Sequence, residues 1–205
     1  MNKHTLSFAA LLFSVSLTPA FAQTVTPADP NNAAVTQRDE NQQNRIEQGL
    51  KDGQLSTGEA AHLEKGEAHI DNMEAQADKS GSMSAAEKAR IEAAQNRESA
   101  SINRDDNNAI KGNPNSASSK RMQADVQRDA NQQKRIEQGE KTGSLTPREA
   151  GKLEKGQAKD AHAQYKAGRK GYVTANNQKH LQAGENRQSK RIYNKKRNDK
   201  TTTTN

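Results

Sequence analysis

The chain has 205 residues and is strongly polar, with 30% hydrophobic and 28% charged residues and a formal net charge of +7. The absence of cysteine excludes disulfides, thiolate chemistry, cysteine-ligated zinc and iron–sulfur clusters. Phe8, Phe13 and Phe21 all lie at the N-terminus, so the rest of the chain has only Tyr165, Tyr172 and Tyr193 as aromatic residues.

Residues 1–22 read as a secretory signal peptide. Lys3 and His4 make a short polar start, LSFAALLFSVSL is apolar but too short to cross a bilayer, and Ala20-Phe21-Ala22 supplies a cleavage pattern. The mature chain is expected to begin near Gln23, in the periplasm or outside the cell, with no transmembrane segment remaining. Residues 23–35 read as a flexible lead. Helices are expected at roughly 36–51, 57–78 and 84–108 within a first unit, 36–110. A Gly/Pro/Asn/Ser-rich linker follows at 111–120. Helices at roughly 121–141, 147–167 and 175–196 make a second unit, 121–197, before a disordered basic tail at 198–205.

The division into two units rests on an internal repeat. Residues 37–68 return without a gap at 127–158, with 21 identities in 32 positions. The expected fold is all-α: two tandem three-helix repeats with marginal cores and disordered termini. The large apolar residues of the first repeat are few: Ile46, Leu50, Leu55, Leu63, Ile70, Met73, Met83, Ile91 and Ile102. Burying each yields roughly 1.5–3 kcal/mol, against roughly 1–2 kcal/mol of backbone entropy for every residue ordered.

A shorter pattern recurs after Gly53, Gly81, Gly143 and Gly171. Ser56, Ser84 and Thr146 each precede a helix and have Glu59, Glu87 and Glu149 three residues on, which is a capping box. Thr174 keeps the hydroxyl but has Asn177 in place of Glu. The four glycines suit the left-handed residue that ends the preceding helix. Gly49, Gly66, Gly139 and Gly156 fall inside predicted helices. A mid-helix glycine costs roughly 1 kcal/mol against alanine, and these positions suggest close backbone-to-backbone packing of adjacent helices.

The Gly-x-apolar-x-x-x-Glu spacing resembles the second half of an EF-hand loop, which implies a degenerate calcium-responsive turn. The resemblance implies Asp78, Ser80 and Glu87 as its most credible ligands. The pattern RIEQG…G-x-L-[ST]-x-x-E…LE also resembles uncharacterised secreted bacterial helical repeat proteins. His62 and His69 lie seven apart with Glu59 nearby, an array that reads as surface histidines. The carboxylates read as a solvated helix face with i,i+4 pairing, and the apolar content as too small for a dry interior that would shift their pKa values.

Residues 23–110 hold 9 Lys/Arg and 16 Asp/Glu, whereas residues 111–205 hold 22 and 9. The corresponding net charges are −7 and +13, so the acidic and basic repeats are expected to associate with each other, within a chain or between chains. The tyrosines read as larger core residues of the second repeat. Lys190, Arg191, Lys195, Lys196 and Arg197 are candidate contacts for an anionic envelope polymer. No catalytic motif and no cofactor is implied. The sequence reads as a non-enzymatic interaction or structural module with an unidentified protein partner; calcium response and polyanion binding are the alternatives.

Overall fold

The computed structural model describes residues 30–198 as six α-helices joined by short turns. They are α1 (Pro30–Asp52), α2 (Thr57–Ala77), α3 (Ala85–Asp106), α4 (Ala117–Lys141), α5 (Pro147–Gly168) and α6 (Ala175–Lys195). A 3-10 turn at Asp78–Ser80 follows α2. The described residues contain no strand, and the chain is all-α. The expected signal peptide at 1–22 and the tail from residue 199 onward lie outside the described residues. No helix among those described is long and apolar enough to cross a membrane.

The helix starts follow from local chemistry. Ser56, Ser84 and Thr146 each accept the backbone N–H of Glu59, Glu87 and Glu149, while each glutamate accepts the N–H of its cap residue. Thr174 accepts the N–H of Asn177 at 3.1 Å and donates its hydroxyl to that residue's Oδ1 at 2.5 Å. Gly53, Gly81, Gly143 and Gly171 have φ of 71°, 93°, 68° and 88°, values that only glycine adopts freely.

Two expected boundaries move. The lead is helical from residue 30, because Ala33 and Val35 are buried and Asn32 reaches Asp78. The linker is shorter than 111–120, because Ser116 caps α4 by accepting the N–H of Ser119 at 3.0 Å. At the other end Lys195 and Asn198 reach Glu149 Oε1 at 3.3 and 2.7 Å, tying residue 198 to the start of α5.

Helices α1 and α2 pack less on each other than on α4 and α5. Both pairs run antiparallel: Thr36 meets Glu140 and Leu50 meets Gln123 along α1 and α4, while Gly151 faces Asp78 and Gly168 faces Ala61 along α2 and α5. Helix α3 lies on α1 and α2, and α6 on α4 and α5. One apolar cluster joins Ile46, Leu50, Leu55 and Leu63 to Met122, Val126, Val173 and Leu181. At the opposite end, Val35, Ile70 and Ile91 form a second cluster and Ile136, Leu145, Leu153 and Ile192 a third. The first core is therefore shared between the halves.

The mid-helix glycines do not bring backbones together. Leu55 N–H bonds to Gly49 O at 2.9 Å, which lays the Leu55 side chain over Gly49; a Cβ there would stand 2.7 Å from Leu55 Cγ. Leu145 covers Gly139 in the same way. Side chains from the third helix of each half cross the other two glycines, the Glu98 carboxyl over Gly66 and the Gln188 amide over Gly156. The tyrosines are not core residues either. Tyr172 and Tyr193 are 54% and 50% exposed, and half-buried Tyr165 meets His62 edge-on at 5.4 Å.

Two substitutions test this local plan by urea denaturation. Thr146→Ala removes a cap and should cost about 1 kcal/mol. Gly139→Ala should cost about 1–3 kcal/mol despite alanine's better helix propensity, because its Cβ meets Leu145. A stabilised Gly139→Ala would contradict the packing described.

Candidate functional site

The acids of α2 that face the bundle interior follow a 3-4-3-4 spacing: Glu64, Glu67, Asp71 and Glu74, with Asp78 next in line beyond the helix end. All five are 2% exposed or less. This is the spacing of a helix-packing seam, with carboxyls where apolar residues normally sit. Asp39 comes from α1, Asp125, Asp129 and Glu140 from α4, Glu154 from α5 and Glu185 from α6, all buried. The sequence-based expectation of a solvated acidic face, with no interior able to shift its pKa values, is overturned. The heptad spacing of acids along α2 was the signal that would have revealed the seam.

Glutamines line the acids and donate to them. Gln43 Nε2 bonds to Glu64 Oε2 at 3.2 Å, and Gln95 Nε2 to Asp39 Oδ1 at 2.6 Å. Gln133 bridges two helices, donating to Asp71 Oδ1 at 2.9 Å and Glu154 Oε2 at 3.1 Å. Gln164 donates to Asp129 and Gln178 to Asp125, each at 2.6 Å. Cations are scarce and peripheral: Arg128 lies 3.1 Å from Glu185, and Lys134 3.7 Å from Glu40. The α1–α4 and α2–α5 contacts therefore do not set acidic against basic groups across most of their length.

Loss of water dominates the protonation of these groups. Burial pushes Glu64 up to about 8, against hydrogen bonding from Gln43 and aided by the charges of Glu98 and Asp125. Burial likewise lifts Glu185 to about 9, with Asp125 adding repulsion and Arg128 opposing it. Asp39 and Asp125 rise to about 6 for the same first reason. Glu67, Asp71, Glu74, Asp129 and Glu154 are held well above the carboxylate range by burial first and then by the charges of neighbouring acids. The carboxyls of Asp39 and Glu74 touch, as do those of Asp125 and Glu185, contacts that need a proton or a cation between them.

Among the described residues, 24 buried side-chain nitrogen and oxygen atoms have no hydrogen-bond partner; 23 of them are oxygens, two of which, Glu47 Oε1 and Glu185 Oε2, face Lys51 and Arg128 instead, and Gln157 Nε2 is the exception. The interior is thus rich in lone pairs and poor in donors. One ligand oxygen from each of Asp39, Asp71 and Glu74 lies within 4.8 Å of the others. This group was not foreseen from the sequence.

The residues implicated by the EF-hand resemblance are held by other bonds. Asp78 accepts from Asn32 Nδ2 at 2.7 Å, and Ser80 Oγ donates to Ala77 O and Ser82 O at 3.0 and 2.8 Å. Glu87 accepts from Ser84 N and Oγ at 2.9 and 2.6 Å, bonds that hold its pKa below the usual range. Of the basic candidates, Lys190 and Arg191 are exposed, Arg197 stacks 4.3 Å from the Tyr193 ring, and Lys196 donates to Arg135 O at 2.9 Å. No family model, curated protein or solved structure matches the chain.

Glu64→Gln tests the burial directly. A folded pKa near 8, against 4.5 when free, gives stability that is full below 4.5 and lost as pH rises through 8. The amide removes that loss, so the variant should be more stable than wild type by roughly 1–3 kcal/mol at about pH 8, with the gain vanishing near pH 4. A variant destabilised equally at both pH values would show that Glu64 is ionised and paired.

Proposed function

We propose that this chain is a non-enzymatic helical module of the cell envelope whose interior takes up positive charge, as protons or as metal cations. The observation that carries the reading is the imbalance of the seam, where nearly all unsatisfied buried polar atoms are oxygens. A carboxylate stripped of water and left unpaired costs several kcal/mol, on the order of the whole stability of a domain. Folding and uptake of positive charge are therefore linked, and the fold responds to pH and ion content. The envelope location rests on the signal-like residues 1–22.

The linkage is tested on the full chain, where every buried acid of the seam contributes. Glu64 is faced by Gln43, Glu98 and Asp125; Asp129 by Gln164, Glu64, Glu185 and Asp160; Glu185 by Asp125, Asp160 and Arg128. These groups have raised folded pKa values, so each stabilises fully below its unfolded pKa and loses that contribution as pH rises. The thermal midpoint of the full mature chain in chelator should fall steadily from about pH 5 to about pH 8.5. A midpoint that rises over this range would overturn the reading.

A second reading is favoured by the distribution of the bases. With many acids inside, exposed Lys190 and Arg191 and the Tyr193–Arg197 stack leave a basic surface on α6 and the residues just after it. This surface suits an anionic envelope polymer. The full chain should be retained on heparin with steep salt dependence, and Lys190→Glu with Arg191→Glu should elute at clearly lower salt. Unchanged elution would assign no role to these residues.

A further inference from the structure

The seam is not uniform along its length, and at one place its oxygens converge. We propose that Asp39, Asp71 and Glu74, with Glu67 beside them, form a binding site for one hard divalent cation of the calcium or manganese type. The proposal rests on the reading of the seam as a receptor for positive charge and names one ligand for it.

The spacing fits an ion. Oxygen–calcium distances run about 2.3–2.6 Å, so oxygens on opposite sides of one ion stand up to about 5 Å apart. The ligand oxygens of Asp39, Asp71 and Glu74 all lie within 4.8 Å of one another, inside that limit. The donor set is entirely oxygen, without histidine or cysteine, which selects hard cations over zinc or copper.

An acidic group alone would say little, but Glu67 adds an independent observation. It is 1% exposed, and neither of its carboxyl oxygens meets a protein donor. It lies four residues before Asp71 on the same interior face of α2, so its unpartnered carboxyl borders the group of three. Asp39 Oδ2 and Glu74 Oε1 are also without donors. Two glutamines orient the outer oxygens: Gln95 donates to Asp39 Oδ1 at 2.6 Å and to Val35 O at 3.0 Å, and Gln133 donates to Asp71 Oδ1 at 2.9 Å. Ligand carboxylates held from behind in this way are characteristic of metal sites.

The other half of the chain lacks this site. Ninety residues on, Asp39, Glu67, Asp71 and Glu74 correspond to Asp129, Gln157, Ala161 and Gln164. Three of the four acids are replaced by neutral residues, so the chain should bind one ion and not two.

The test uses the full mature chain stripped with chelator and titrated separately with calcium chloride and manganese chloride, by calorimetry and thermal melting. One equivalent of at least one ion should bind saturably and raise the midpoint. Asp71→Asn keeps the shape and the Gln133 contact; it should weaken binding by about tenfold or more. Glu92→Gln, on the exposed side of α3, should bind as wild type does. Absence of saturable binding by both ions, or equal binding by wild type and Asp71→Asn, would overturn the site. If the fall of the midpoint with pH persists in that case, the seam is filled by protons and the general reading stands. If the pH response is lost as well, both readings fall.

Discussion

A carboxyl group can be buried stably only when something positive comes with it. That constraint governs this bundle more than its apolar residues do. Several glutamines of the seam turn their Nε2 toward an acid, as Gln43 does to Glu64, Gln95 to Asp39 and Gln164 to Asp129. In every one of these pairs the glutamine's own Oε1 is left without a donor. Amide donors thus meet part of the demand of the acids and create a further demand of their own. A protonated carboxyl resolves both at once, because its O–H can donate to the neighbouring amide oxygen. A cation resolves both as well, since carboxylate and amide oxygens are both hard ligands.

The same constraint explains the topology. A carboxylate seam left half in water by one helix pair would stay solvated and keep ordinary pKa values. Here α2 is closed off by α5, with α4 and α3 alongside, and α1 by α4. The apolar clusters sit at the two ends of the bundle and clamp the polar stretch between them. Helices within one half touch less than helices between halves, so the second half completes the core that the first half lacks. The thin apolar content of each repeat and the sharing of the core are one fact seen at two levels.

Much of the scaffold was legible in the sequence and little of the seam was. The helix starts at Ser56, Ser84, Thr146 and Thr174 and the positive-φ glycines are set by chemistry within a few residues, and local chemistry can be read along the chain. The glycines at 49 and 139 were read as backbone-to-backbone helix contacts, but what covers them is Leu55 and Leu145, placed by a turn whose geometry the sequence does not display. The acids of α2 were misread because a charged side chain is ordinarily assigned to solvent. Their 3-4-3-4 spacing outweighs their polarity here, since the facing positions on α4 and α5 carry glutamines and acids in place of leucines. Net charge by halves does not describe the contact between them. It averages over residues that never see solvent, and the helices meet across protonatable acids more than across opposite charges.

The two copies of the repeat divide the roles between shared and private positions. Gln43 and Glu64 return as Gln133 and Glu154, and each pair forms the same amide-to-acid bond, so that part of the seam belongs to the common plan. Glu67, Asp71 and Glu74 do not return as acids. Glu67 lies inside the stretch that repeats nearly intact, whereas Asp71 and Glu74 lie just beyond it, where the copies diverge. Acids confined to one half answer to something present in one half only. The place where Asp39, Asp71 and Glu74 converge is therefore where the scaffold stops accounting for the sequence, and a bound cation supplies the cause that packing does not.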